Sequence, residues 1–376
     1  MHSERRWQMP AGLFVCLFGA IGALATLNGC SSSGERNPSS GPSERAVLLK
    51  GAGATFPAPL YKQWFAAYQA GHPGTAVTYD VVGSGEGVRR FIGKTIKEEE
   101  KIDFGASDAA MTDQEIREVP RGTVLLPVTA GSVVLMYNLP ELEGDLKLSR
   151  KAYAGIFLGS VKRWDDPLIA ETNPDVKLPK LDIATVVRQD RSGTTYAFTK
   201  HLDAINDEWR RRYGAATIID WPSSPMRASG NEGVAARIQQ SIDSIGYVGY
   251  EFARKLGLKV AILENREGHY VKPTEQSASA ALDSLELPEN LRLFVPDPSG
   301  ADAYPIVTFS WILLYRNYEN AERAKAIAEL FHWCLADGQK DAAKLGYIPL
   351  SSHATAKTLS ALNIITSGEV AVGHKL

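Results

Sequence analysis

Val77-Thr78-Tyr79-Asp80-Val81-Val82-Gly83-Ser84-Gly85-Glu86-Gly87-Val88-Arg89-Arg90-Phe91-Ile92 holds two periodicities in one stretch. The β-branched and apolar run from Val77 to Val82 reads as a strand, and the pattern from Val88 to Ile96 reads as a helix. Ile183 to Val187 followed by Tyr196 to Leu202 repeats the arrangement further along the chain. Alternation of this kind predicts an α/β fold. Four segments share the same junction, in which a strand-like run ends in small, hydroxyl-bearing residues and a helix is expected to begin at once. They are Gly53-Ala54-Thr55-Phe56-Pro57, Val82-Gly83-Ser84-Gly85, Phe104-Gly105-Ala106-Ser107-Asp108 and Arg188-Gln189-Asp190-Arg191-Ser192-Gly193-Thr194.

Other local signals agree with this fold class. Residues 57 to 69 open with Pro57 and place Leu60, Tyr61, Trp64, Phe65 and Tyr68 on one helical face, which is expected to be buried. Thr112-Asp113-Gln114-Glu115 reads as a capping box ahead of Ile116. Lys97 to Lys101, with three glutamates inside, reads as a solvated loop or helix end.

The four junctions carry the functional reading. At a helix start the free N–H groups and the helix dipole favour negative charge, and glycine and small hydroxyl residues let an oxyanion approach the backbone. One such serine, Ser84 or Ser192, is ordinarily only an N-cap. Several converging across the cleft of an α/β protein make an anion site. Arg188 ends a strand and has the planar fork to grip two oxygens of a tetrahedral anion, with Asp190 behind it to hold the guanidinium. The plain alternative is a surface ion pair between the two. Asp108 suits an anion site only if the anion carries a proton to donate to it. Phosphate near neutral pH does and sulfate does not, so a carboxylate there would reject sulfate by leaving two acceptors face to face. The alternative is that Asp108 caps the following helix.

Residues 1–29 read as an address. Arg5 and Arg6 precede an apolar run from Ala11 to Leu27, which is shorter than the roughly 20 residues of a spanning helix. Leu27-Asn28-Gly29-Cys30 then predicts lipoprotein processing with lipid on Cys30, and residues 30–45 read as a flexible Ser/Gly/Pro tether. With Cys16 lost with the leader and Cys30 lipidated, Cys334 is the one cysteine left, so no intrachain disulfide is expected. The remaining length suits two domains of roughly 150 residues. A net charge of −2 and the lack of a basic stripe argue against nucleic acid as a partner.

At these residues the chain resembles the periplasmic phosphate-binding proteins of high-affinity phosphate importers. Gly51 to Pro59, Asp103 to Asp108 and Ser192-Gly193-Thr194 stand in that family's order. Lys162 to Pro167, Gly230-Asn231-Glu232-Gly233-Val234-Ala235 and Ile245 to Val248 add similar stretches. The resemblance implies a type II periplasmic binding protein, with two lobes of mixed sheet flanked by helices and a ligand cleft between them. Lobe I is then expected over 46–130 and 305–376 and lobe II over 131–304, with crossings near Val128 to Asn138 and Ala303 to Ser310. Carried over residue by residue, it implies hydroxyl and N–H donors from Thr55 and Ser84, the N–H of Phe56, and a proton acceptor at Asp108. It implies an ion pair from Arg188, hydroxyls from Ser192 and Thr194, and the N–H of Gly193. The implied role is capture of inorganic phosphate outside the cytoplasmic membrane, by a monomer that closes about a hinge and delivers its cargo to an ABC permease without chemistry, cofactor or metal. Glu86, one short turn from the anion, departs from the family pattern, and Arg191 is positioned to offset it.

Rival functions are weighed on the same residues. Hydrolysis of phosphate esters would need a metal cluster or an activated nucleophile, yet the seven histidines are scattered and no serine stands in Gly-x-Ser-x-Gly. Gly87 to Thr95 misses the P-loop spacing by one residue, and Gly51-Ala52-Gly53 lacks the third glycine of a dinucleotide fingerprint. Sulfate or molybdate binding, or a sensing or adhesive role, keeps the fold but changes the cargo.

Overall fold

Pro57 and Pro59 suit the start of the helix Ala58–Gly71, where a missing N–H costs nothing, and its buried face is Leu60, Tyr61, Trp64, Phe65 and Tyr68. Each of these large side chains gains roughly 1.5–3 kcal/mol on burial, so the face fixes the helix on the sheet. The computed structural model describes residues 46–222, 224–283 and 285–372. The expected leader, Cys30 and the tether lie outside the described residues. Among the described residues, no helix is long and apolar enough to cross a membrane.

The strands in chain order are β1 (Val47–Gly53), β2 (Thr75–Val81), β3 (Phe104–Ser107), β4 (Thr123–Asn138), β5 (Lys147–Leu148), β6 (Ala184–Arg188), β7 (Met226–Ala228), β8 (Ser244–Gly249), β9 (Ile262–Glu264), β10 (Tyr270–Val271), β11 (Val307–Tyr315), β12 (Thr366–Ser367) and β13 (Val370–Ala371). Eight form one mixed sheet in the order β2-β1-β3-β11-β4-β8-β6-β7. At one end β1 runs parallel to β2 and β3, and at the other β6 runs parallel to β7 and β8. The antiparallel pairings β11 with β3, β11 with β4, and β4 with β8 join the two ends. β5, β9 and β10 make a small sheet, and β12 pairs with β13.

β4 is the backbone of this arrangement. Its residues 123–132 pair with β11 and its residues 133–138 pair with β8. Its register with β11 shifts between Ser310 and Trp311, opposite Pro127 and Thr129, so the proline, which has no N–H to donate, sits at an irregularity of the ladder. Two hydrophobic cores meet along this strand. Val124 to Ala130 belong to the first, with the helix Ala58–Gly71 and the helix Ala321–Ala336, and Val133 to Tyr137 belong to the second. The second changeover falls between Val307 and Phe309. The stretch around residue 280 is shared, since Ala278, Leu287 and Leu291 pack into the first core and Ala281 into the second.

Two local expectations need adjustment. The helix Ser84–Ile92 stops short of Ile96 because Gly93 turns left-handed, with φ 79°. No helix begins directly after Asp108. The next one is Asp113–Arg117, and its N-cap is Thr112, in the expected capping box with Glu115. Asp108 therefore caps no helix, and its burial has another cause.

Candidate functional site

The carboxyl ends of β1, β2 and β3 face those of β6 and β7, the position at which open α/β sheets hold ligands. Gly83 follows β2 with φ 95°, and a Cβ there would stand 2.6 Å from Asp190 Oδ2. The Gly85 N–H donates to Arg191 O at 2.9 Å, so loops from the two ends touch. Gly193 has a second close approach, since its Cβ position lies 2.6 Å from both Asp108 Cβ and Ser84 Oγ. A side chain at 193 would hold the two ends apart. The structure thus brings Ser84, Asp108 and Gly193 together across the cleft.

Arg188 ends β6 and is buried, with 2% of its surface exposed. Its Nε donates to Asp190 Oδ1 at 2.8 Å and its Nη2 donates to Asp190 Oδ2, which makes a forked pair. The surface ion pair that the sequence left open is therefore one with a buried guanidinium and a partly buried carboxylate. Burial pushes the Asp190 carboxyl up, but the hydrogen bonds and charge of Arg188 and the N–H of Gly230 outweigh it and leave the carboxyl below its ordinary range. Nη1 of Arg188 lies 3.5 Å from Thr194 Oγ1, and the Arg188 N–H donates to Tyr247 Oη at 3.3 Å.

Asp108 is buried, with 1% exposed. Its Oδ1 accepts from Ser310 Oγ at 2.8 Å, its Oδ2 lies 3.4 Å from Ser84 Oγ, and its own N–H donates to Ser84 Oγ at 3.1 Å. Burial pushes the carboxyl up to about 7, against the hydrogen bond of Ser310, the charge of Arg188 and the hydrogen bond of Ser84. A carboxyl poised near neutrality can take or give one proton to a neighbour.

Ser192 is the N-cap of the helix Gly193–Ile205, its Oγ accepting from Thr195 N–H at 3.0 Å. The capping role holds for this serine, and its hydroxyl hydrogen stays available. As at any helix start, the first amide hydrogens, here those of Gly193 and Thr194, have no carbonyl within the helix. Ser84 is the first helical residue rather than the cap, which is Gly83. The Phe56 ring abuts the Cα of Gly131, where a Cβ would meet it at 2.7 Å, and its carbonyl accepts from Tyr347 Oη at 2.7 Å.

Glu86 lines a cavity beside the site and is paired within its own helix. It pairs with Arg89 at 2.7 Å and Arg90 at 2.9 Å, and the Arg89 hydrogen bond, with Arg90 adding to it, draws its carboxyl down to about 2 against partial burial. Its charge is thus met within its own helix. A cavity of about 1080 Å³ flanks the site without containing Arg188 or Asp108, and Ser84, Asp190 and Arg191 line it together with Arg89 and Arg292. His201 is fully buried, with Nε2 2.8 Å from Tyr153 Oη and Nδ1 2.6 Å from Pro296 O. Burial lowers it to about 4, so it is a neutral core residue turned away from both serines.

A family model described as a PBP superfamily domain matches residues 37–337. The phosphate-binding protein PstS of Haemophilus influenzae is 36% identical over 312 residues, covering 82% of this chain and 90% of the relative. The chain belongs to the PstS family of phosphate-binding proteins. The family's reach is wide, since the PstS of Methanocaldococcus jannaschii is 33% identical with 94% of each chain covered. Among solved structures, a high-affinity periplasmic phosphate-binding protein bound with phosphate superposes with a TM-score of 0.69 at 21% identity, covering 84% of this chain and 93% of its own. A phosphate-binding protein from Stenotrophomonas maltophilia gives 0.69 at 19%, covering 82% and 92%. The fold is that of the periplasmic binding proteins.

Three residues at this candidate site escaped the sequence reading. Asn231 bonds to Thr55 and Thr194, Ser310 donates to Asp108, and Tyr247 supports Arg188 and bonds Thr195. Asn231 had a signal, because Ala228-Ser229-Gly230-Asn231 repeats the junction of strand, small residues and helix. β7 has only three residues, too few to read as a strand. Ser310 lies inside a buried strand and offered none.

Proposed function

We propose that the chain captures inorganic phosphate between its lobes outside the cytoplasmic membrane and delivers it, unaltered, to an ABC permease. The observation that carries this reading is the buried Asp108 facing Gly193 across the cleft, beside the buried Arg188. Arg188, the N–H groups of Phe56, Ser84, Gly193 and Thr194, and the hydroxyls of Thr55, Ser84, Ser192 and Thr194 would surround an anion as donors. Asp108 would accept the proton that phosphate carries and sulfate lacks. Asp190 holds the guanidinium from behind. Titration calorimetry of the secreted chain at pH 8 is expected to give one phosphate site per molecule, unchanged by a large excess of sulfate. Equal heats from the two anions, or none from phosphate, would overturn the reading.

The lobes would be 46–130 with 305–376, and 131–304, joined where β4 and β11 pass from one core to the other, so that closure bends two strands. The chain would act as a monomer held at the envelope by lipid on Cys30 after removal of residues 1–29. Mass spectrometry of the membrane-extracted protein should then find an acylated Cys30 as the first residue; an unmodified Cys30 inside a longer chain would sink the anchor.

A further inference from the structure

We propose that Asn231 is a positioning residue, which fixes Thr55 and Thr194 as pure hydrogen donors toward the bound anion and ties the two lobes together as it does so. The inference rests on the phosphate-binding reading and adds to it a residue that makes no contact with the cargo itself. A hydroxyl has one hydrogen and two lone pairs. Thr55 Oγ1 accepts from the Asn231 N–H at 3.1 Å and from Asn231 Nδ2 at 2.9 Å, which engages both of its lone pairs. Thr194 Oγ1 accepts from the same Nδ2 at 3.0 Å and has the Nη1 of Arg188 at 3.5 Å. The amide cannot be turned round, because its Oδ1 accepts from the Gly249 N–H at 2.9 Å.

Both amide hydrogens are thus spent on the two threonines, one reached from β1 and the other in the helix after β6. Asn231 and Thr194 are fully buried and Thr55 is 6% exposed, so water does not compete for these positions. What each hydroxyl has left to offer is its hydrogen. Such a hydrogen binds a bare, charged oxygen more strongly than a protonated one. Asp108, with the opposite demand, takes the protonated oxygen. The site therefore reads the arrangement of protons on the anion from both sides, and Asn231 sets one side of that code. Because Asn231 and Thr194 both lie in 131–304 and Thr55 lies in 46–130, Thr194 is oriented within its own lobe and the Thr55 hydroxyl acquires this polarity only when the cleft is shut.

The test is a double-mutant cycle read by phosphate affinity. Asn231→Leu keeps the volume and removes the amide, so it should weaken phosphate about 30-fold, the value of an oriented hydrogen bond or two to a charged acceptor. In a Thr55→Val background the same change should cost at least about fivefold less, since one of the hydroxyls it acts through is gone. Equal losses in both backgrounds, or no loss in either, would overturn the inference, because a residue that merely packs the lobe has no reason to depend on the Thr55 hydroxyl. If Asn231→Leu melts below the assay temperature, Asn231→Ala carries the same cycle. Failure of the unaltered protein to bind phosphate would instead strike at the reading of the site.

Discussion

Replacing Arg188 by methionine is expected to weaken phosphate binding about a thousandfold, the scale for truncating one partner of a buried charge pair. Part of that loss is the missing fork. The rest comes from Asp190, whose carboxyl would remain beside Gly83 and the Gly230 N–H with no cation to balance it. Burial already pushes that carboxyl up, and Arg188 is what holds it down. The unliganded protein should lose about 3 kcal/mol by urea unfolding, as expected when a buried pair is broken. Adding Asp190→Asn should restore most of the stability and little of the affinity. Arg188→Lys should fall between, because an ammonium keeps the charge but cannot bind two oxygens in one plane. If the double variant regained phosphate affinity together with its stability, Arg188 would be a structural cation and not the anion's partner.

Much of the fold was legible because its signals are local. Pro57 and the spacing of Leu60, Tyr61, Trp64, Phe65 and Tyr68 set the first helix and its buried face, and Thr112 with Glu115 set a cap, all within a turn or two of chain. The counter-charge of Glu86 was misplaced. Arg191 was expected to offset it, whereas Arg89 and Arg90, three and four residues on along the same helical face, form the pairs. The order of the strands was not legible. β11 lies between β3 and β4 although some 170 residues separate it from the nearer of them in sequence, and nothing in the composition of Val307–Tyr315 names its neighbours.

The site divides in the same way. Ser192, Gly193 and Thr194 could be read from their own segment, since a helix start is built from adjacent residues. Asp108 was readable as a functional acid, but the helix expected directly behind it is absent, because a small-residue turn and a cap have the same composition. Its partner Ser310 stands 202 positions away, and Asn231 meets Thr55 across 176. The first contact is made where β11 pairs with β3 and the second across the cleft, so no window on the sequence contains either. The residues proposed to touch the ligand were therefore easier to find than those proposed to orient them.

Asp108→Asn is expected to make the protein more stable at pH 8 and to remove its discrimination against sulfate, and both effects follow from one buried proton. With the folded carboxyl raised from 3.8 to about 7, the native state holds a proton that the unfolded chain has already released. Stability is therefore greatest below the unfolded value and falls as pH rises toward the folded one. Above about pH 7 the cost of the buried charge is complete, on the order of 4 kcal/mol. Asparagine carries no such charge, so the variant should melt roughly 5–10 °C higher than the parent at pH 8, and at the same temperature near pH 4. The same titration governs the cargo. At pH 8.5 Asp108 is an acceptor and sulfate meets it with acceptors, so sulfate should not compete with phosphate. At pH 5 the protonated carboxyl can donate, and competition by sulfate should emerge. In the asparagine variant the amide donates at every pH, so the preference for phosphate over sulfate should fall at least about 100-fold at pH 8.5 and lose its pH dependence. Competition calorimetry at the two pH values decides the matter. Sulfate excluded equally at pH 5 and pH 8.5 would mean that something other than the charge on Asp108 does the sorting.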